Sequence, residues 1–386
     1  MNITNIDKEY VAGTYGRFPV ELKNGKGALV YDTEGKEYID LGTGIAVNTF
    51  GYADEEWISA ITKQANALQH TSNLFYTEPC AKLAELLCIK TGMKKVFFSN
   101  SGAEANECAI KTARRYSFLK YGEGRSAIVT LKNSFHGRTV TTLAATGQDT
   151  FHTEFGPFTE GFVYGEANNA DNVIALAKEN NCCAIMMEPV QGEGGVMKLD
   201  VEFVKEVYEF CKANDVLLIC DEVQTGNGRT GSLYAFQQFD IMPDIVSTAK
   251  GLGGGLPIGA TMLGEKVKDT LTPGSHGSTF GGNPIACAGA YSIISRIDDE
   301  LLAGVKAKSE YIFNELGSTE GIKSISGMGL MIGLETEKDA KEVVSACRDK
   351  GVLVLTAKTK VRLLPPLNIP DDLLKKAVNI IKECVK

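Results

Sequence analysis

Two strand-like runs, one of them continuously apolar and each delivering a charged residue into a glycine-containing turn, constrain this chain more than any other feature. In VLLICDEVQTGNGRTG the run Val216–Cys220 leads into Asp221. In DIVSTAKGLGGGLPIGA the run 245–249 leads into Lys250, 29 positions later. A strand that is apolar at every position is covered on both faces, which is the situation of a parallel sheet wrapped by helices. Sheets of that kind carry their sites where the strands end, so Asp221 and Lys250 are expected to face a common crevice.

The chemistry follows from the cost of burying those two groups. A buried carboxylate is unfavourable unless a cation lies against it, and a protonated pyridine nitrogen is such a cation. A desolvated lysine loses its proton readily and can form a Schiff base with an aldehyde. The turn after it, with Gly251, Gly253, Gly254 and Gly255, lets backbone approach a ligand closely. Together the acid and the amine are what pyridoxal phosphate requires. Taken singly, Asp221 also fits a turn cap and Lys250 a solvated strand-end lysine.

Further segments bear on that choice. Asn100, Ser101, Gly102, Ala103 and Glu104 follow the strand-like Val96–Phe98 and open a helical pattern running to Tyr121. Ser101 and Glu104 have capping-box spacing, and Gly102 leaves room for an anion at the helix N-terminus. Phe135 and Arg138, in NSFHGRT, place an aromatic ring and a guanidinium three residues apart. The ring would cover a flat heterocycle and the guanidinium would grip a carboxylate; the plainer readings are a core phenylalanine and a surface ion pair. His136 between them is expected to orient a neighbour rather than act as a base.

In order along the chain, YGRFP from residue 15, SGAEAN from 101, FHGRT from 135, EPVQGEGG from 188, DEVQTGNGRTG from 221, AKGLGGGLPIGA from 249 and GSTFGGNP from 277 resemble the class III, or omega, aminotransferases of fold type I. The resemblance covers nearly the whole chain. It implies pyridoxal 5'-phosphate as cofactor, held by Lys250 as a Schiff base, with Asp221 keeping the ring nitrogen protonated. It also implies Val223 beneath the ring, Phe135 above it, Gln224 at the phenolic oxygen, and Ser101, Gly102 and Ala103 at the phosphate. Thr279 would reach that phosphate from a second subunit, with Ser278 beside it touching an acylated substrate, so a homodimer with sites at the subunit interface is implied.

Within the class, the segments His70–Tyr76 and Arg362–Leu367 look most like members acting on N-acetylated ornithine in arginine biosynthesis. That likeness implies amino-acid substrates and ping-pong kinetics. Arg138 would bind the carboxylate of the acylated donor, and Arg362 the alpha carboxylate of glutamate or 2-oxoglutarate. Glu193 would pair with Arg362 when the second carboxylate is absent, because an arginine left unpaired in a dry pocket is unfavourable. Succinyldiaminopimelate, succinylornithine, ornithine and 4-aminobutyrate remain open as donors, as do a glutamate-1-semialdehyde aminomutase-like isomerase and a non-catalytic protein of this fold.

Composition narrows the partners. A net charge of -8 without a dense basic stripe argues against nucleic acid. No segment has the apolar length of a membrane span, and MNITNIDKEYVAG lacks the basic start and apolar stretch of a signal peptide, so a cytoplasmic location is expected. Ten scattered cysteines without a C-x-x-C pair fit buried free thiols, and four histidines without paired spacing make a metal site unexpected.

The expected class is α/β. Strands such as 127–131 and 184–187 alternate with helical patterns such as 79–90 and 200–213, implying a mostly parallel sheet wrapped by helices, followed by a smaller α+β domain. The expected divisions are an N-terminal segment, 1–50, packing with the small domain and containing a hairpin over 28–41; a large cofactor-binding domain, 51–275; and a small domain, 276–386. The run Gly327–Leu334 and the run 352–355 are expected to supply strands to the small domain.

Overall fold

The computed structural model describes residues 3–386. Its centre is a seven-stranded sheet in the spatial order Lys95–Ser99, Gly259–Leu263, Ile245–Thr248, Leu217–Asp221, Ala184–Met187, Ile128–Leu131, Phe162–Gly165. Gly259–Leu263 runs antiparallel to both neighbours, and the other pairings are parallel. Five of the strands are buried at every position, as their apolar sequences demand.

Side chains alternate across the sheet with period two, and this aims the site. Leu218 and Cys220 enter one hydrophobic core, whereas Leu217 and Ile219 enter another on the opposite face, shared with Ala109, Ile110 and Ala113 of the helix Gly102–Tyr121. Asp221 continues the second set, so it points at that helix. The small residues Ala105, Ala109 and Ala113 are all fully buried, which lets the helix lie close against the strands. Among the described residues, no helix is long and apolar enough to cross a membrane.

A second core lies around the antiparallel sheet Ile322–Met328, Met331–Thr336, Lys360–Leu363, Leu355–Ala357, with the helices Asp299–Gly317, Ala340–Asp349 and Asp371–Val385. The N-terminal hairpin Leu29–Asp32 and Glu37–Asp40 joins it: Glu37–Asp40 pairs in parallel with Val352–Leu353, and Ile39 and Leu41 are buried in the same cluster. Two runs divide more finely than their hydropathy suggests. The run 327–334 turns at Gly329 and belongs to two strands, and the run 352–355 passes from one sheet to another at Val354.

The helix Pro284–Ser295 packs instead on the helices Glu55–Ala67 and Glu78–Thr91 of the larger unit, contributing Cys287, Ala290 and Ile294 to its core. The division expected at residue 275 cuts that core. We place it after Ile297, the last residue of the chain to enter the larger cluster fully buried.

Candidate active site

The parallel strands and Lys95–Ser99 all run the same way, so their C-terminal ends deliver Asn100–Ala103, Asn133–Arg138, Glu188, Asp221 and Lys250 to one edge of the sheet. There they surround a cavity of about 430 Å³. Of the residues singled out from sequence, Ser101, Gly102, Ala103, Phe135, Arg138, Asp221, Val223, Gln224 and Lys250 line it.

Asp221 is held from three sides. Asn106 Nδ2 donates to its Oδ2 at 2.7 Å, His136 Nδ1 stands 2.8 Å from the same oxygen, and the Val223 amide donates to Oδ1 at 3.0 Å. A carboxylate has about four acceptor positions, so one remains for a donor in the cavity. Asn106 also donates to the His136 carbonyl at 2.8 Å, which fixes both partners of the acid. His136 is therefore an orienting residue, buried with its ring against Asp221.

Lys250 begins a short 3₁₀ turn with φ of 46°, a left-handed conformation that costs a non-glycine residue about 1 kcal/mol. Asn227 steadies the preceding backbone by donating to Thr248 Oγ1 and the Ala249 carbonyl, both at 3.1 Å. Burial lowers the Lys250 amine from the ordinary lysine value, partly opposed by the carboxylates of Glu193 and Asp221. A lysine so placed is more readily neutral and nucleophilic.

At the other end of the cavity the helix Gly102–Tyr121 begins. Ser101 Oγ accepts from the Glu104 amide at 3.2 Å, leaving the first amides, of Gly102 and Ala103, without intrahelical partners and in position to bind an anion. The capping box is displaced from its expected form: the Glu104 carboxylate reaches back to the Asn100 amide at 2.5 Å rather than to that of Ser101. A Cβ on Gly102 would lie 2.7 Å from Val223 Cγ1, so the glycine is required where the wall carrying Val223 closes on the helix start. An anion site, an acid with a free acceptor position and a low-affinity-for-proton amine around one apolar-walled cavity suit pyridoxal phosphate.

The two arginines differ in state. Arg138 is exposed, with its guanidinium carbon 4.3 Å from the Phe151 ring centroid and 5.4 Å from that of Phe135, and has no ion-pair partner among the described residues. Arg362 is buried and paired: its Nη1 donates to Glu193 Oε1 at 2.5 Å and to Gln224 Oε1 at 3.2 Å. Burial alone would raise the Glu193 carboxyl, yet the Arg362 guanidinium holds it below its ordinary value.

Ser278 and Thr279 are not brought to Lys250 within the chain. They line a separate hollow of about 300 Å³ with Glu104, Glu107 and His276. Ser278 Oγ accepts from Asn100 Nδ2 at 3.1 Å and from the Gly281 amide at 2.9 Å, and Asn100 borders both hollows.

Three residues of the site were not singled out in the sequence. Asn106 falls on the same helical stripe as Ile110 and Ala113, a polar residue among apolar ones, and that was a usable signal. Glu188 ends the apolar strand Ala184–Met187 as Asp221 ends its own, and burial pushes its carboxyl up to about 7, with His136 acting to lower it. Phe151 gave none, because its contact with Arg138 depends on how the intervening loop folds.

The chain matches the Aminotransferase class-III family over residues 10–385. It is 51% identical over 383 residues to the acetylornithine aminotransferase of Haemophilus ducreyi, covering 99% of this chain and 98% of that one. With the acetylornithine aminotransferase of Caldanaerobacter subterraneus the identity is 44%, over 98% and 97% of the two chains. Among solved structures, the ornithine aminotransferase of Toxoplasma gondii superposes with a TM-score of 0.94 at 33% identity, covering 99% of this chain and 93% of that one. The N-acetylornithine aminotransferase of Stenotrophomonas maltophilia gives 0.86 at 34% identity, over 99% and 98%. With the cavity geometry, these likenesses show that the chain belongs to the class III aminotransferases, enzymes of fold type I that use pyridoxal phosphate.

Proposed function

We propose that the chain transfers the terminal amine of N2-acetyl-L-ornithine to 2-oxoglutarate, giving N-acetyl-L-glutamate 5-semialdehyde and L-glutamate, as a step of arginine biosynthesis. The observation that carries this reading is the unequal state of Arg138 and Arg362. A donor with one carboxylate needs one free arginine, whereas a dicarboxylate acceptor needs a second, which Glu193 masks until it is wanted. The names of the two curated relatives above agree with this choice.

Pyridoxal phosphate, when bound, supplies an electrophilic carbon and an electron sink. Ser101, Gly102 and Ala103 would bind its phosphate at the helix start, Val223 and Phe135 would flank its ring, Gln224 would meet its phenolic oxygen, and Asp221 would hold a proton at its ring nitrogen. Lys250 Nζ would take the proton from the substrate carbon that bears the amine and would return it on the far side of that nitrogen. Arg138 orients the donor by its carboxylate, and Glu193 leaves Arg362 as the acceptor arrives.

We further propose a homodimer in which Ser278 and Thr279 serve the site of a second copy. Both lie outside the Lys250 cavity, on a segment flanked by the exposed Phe280 and tied to the exposed Leu74–Tyr76 through Asn73, whose Nδ2 donates to the carbonyls of Ser278 and Gly281 at 3.0 Å.

A panel of donors mixed singly with the cofactor-loaded protein in a stopped-flow spectrometer tests the assignment. Acetylornithine is expected to react with a higher kcat/KM than ornithine, succinylornithine, succinyldiaminopimelate or 4-aminobutyrate. Faster reaction with free ornithine would move the assignment to an ornithine aminotransferase, the activity named for the Toxoplasma gondii structure. Turnover of an aminoaldehyde without 2-oxoglutarate would instead favour an isomerase.

A further inference from the structure

Glu188 is a buried carboxylate whose two oxygens are spent on two different segments. Oε1 accepts from the Phe135 amide at 2.8 Å, and Oε2 accepts from the Gly192 amide at 3.2 Å. The first segment carries Phe135 and Arg138; the second carries Glu193, the partner of Arg362. We propose that Glu188 is a positioning residue that clamps these two substrate-facing segments in register, so that the stacked Arg138 and the Glu193–Arg362 pair are set by one side chain. The inference rests on the proposed roles of the two arginines for its consequence, and on the two hydrogen bonds alone for the clamp.

The surroundings show why one carboxylate can do this. Gln191 Nε2 donates to the Lys132 carbonyl at 2.9 Å, bringing the segments together just outside the cavity. A Cβ on Gly194 would lie 2.6 Å from the Asn133 carbonyl, so the second segment is pressed against the first. Glu188 sits on the cavity side of that contact, and the strand Ala184–Met187 fixes its backbone from within the sheet. When ionised, above the value of about 7 to which burial pushes it, the acid forms charge-assisted bonds with both amides, which are stronger than neutral ones. An amide side chain at this position could accept from only one of them, because its nitrogen would face a donor.

Hydrogen exchange read by mass spectrometry on the cofactor-loaded protein tests the clamp, and the same measurement on cofactor-free protein repeats it without catalysis. Glu188→Ala is expected to speed exchange about fivefold or more in peptides covering 133–138 and 190–195, with 184–187 unchanged. Glu188→Gln is expected to speed one of the two peptides, chiefly 190–195, where the bond is longer. The KM for whichever donor the panel selects should rise about fivefold in the glutamine variant, with kcat altered less than about twofold. Wild-type exchange in both peptides of the glutamine variant would overturn the proposal, as would loosening that spreads evenly through the sheet. If the alanine variant does not fold, the glutamine variant decides. Preference for another donor with the exchange pattern intact would refute the substrate assignment and leave the clamp standing.

Discussion

Glu193 and Arg362 meet across the two cores, Oε1 to Nη1 at 2.5 Å, with the arginine side chain 3% exposed and the glutamate 32%. The buried member is the one that cannot lose its charge, and the more accessible member is the one able to leave. This asymmetry suits a counter-ion that withdraws when a substrate carboxylate replaces it. Arg362→Ala is expected to impair chiefly the half-reaction with glutamate or 2-oxoglutarate, by about 2 to 5 kcal/mol. Arg138→Ala should impair chiefly the acetylornithine half-reaction, and by less, because its guanidinium is exposed. Single-turnover rates with each substrate alone measure both, and equal damage to both halves by each variant would refute the division.

Gly102 bears on folding and on cofactor binding at once. It is the first residue of a 20-residue helix, where alanine is the better helix former by roughly 0.5 to 1 kcal/mol. The added Cβ, however, would stand 2.7 Å from Val223 Cγ1, on a branched side chain with little rotamer freedom. Gly102→Ala is expected to destabilise even the cofactor-free protein, because an overpacking cost of about 1 to 3 kcal/mol outweighs the gain in helix propensity, and to weaken pyridoxal phosphate binding as the helix start is pushed from Val223. Calorimetric titration with the cofactor and thermal unfolding without it read the two effects separately.

Much of this arrangement was legible in the sequence because it rests on local patterns. The run 216–220, apolar throughout, and the run 245–249 marked two strands to within a residue, and Asp221 and Lys250 stand at their ends as expected. The helix after Ser101 was announced by its cap. What escaped was set by tertiary pairing. Gly259–Leu263 runs antiparallel within an otherwise parallel sheet, a direction that no feature of its own residues encodes. The helix Pro284–Ser295 follows a glycine-rich stretch that resembles a boundary, but its almost wholly apolar surface belongs between two helices of the larger core. The proposed service of Ser278 and Thr279 to a second copy rests on the family resemblance, since neither lines the Lys250 cavity.

Glu222 gives the stability of the protein a pH dependence of known sign. Its side chain is fully buried, accepts from the Phe236 amide at 2.7 Å and from Thr225 Oγ1 at 2.5 Å, and burial pushes its carboxyl up to about 7. Because this lies above the unfolded value of 4.5, the native state binds more protons than the unfolded state between the two. Stability therefore falls as pH rises through that window and levels off above it. Glutamine keeps both contacts, accepting from Phe236 and donating to the threonine oxygen, but does not titrate. Glu222→Gln is expected to flatten the pH dependence of unfolding between about 4.5 and 7 by on the order of 1 to 3 kcal/mol. Denaturant titrations of the cofactor-free protein at a series of pH values check this, and an unchanged slope would remove Glu222 as its source.

The exposed apolar patch beside Thr279 carries the last expectation. Leu74, Phe75 and Phe280 are 88%, 69% and 60% exposed, and Asn73 binds the two segments into one surface, with His70 lying 5.2 Å from the Phe280 ring. Isolated exposed hydrophobics are ordinary, but a clustered group beside Thr279 and Ser278, proposed to reach the cofactor and the substrate of a second copy, suggests a subunit contact. The parent is expected to sediment as a dimer, and a charged pair, Phe75→Asp with Tyr76→Glu, is expected to yield a monomer by sedimentation velocity at the same concentrations. The Lys250 cavity lies outside this patch, so the monomer should remain folded by circular dichroism while losing most of its cofactor affinity and activity. A monomer that binds cofactor and turns over as the parent does would show that Ser278 and Thr279 serve no neighbouring site. Thr279→Ala sharpens the test within an intact dimer: it should weaken cofactor binding by about fivefold, the worth of one hydrogen bond to phosphate, without changing the sedimentation coefficient.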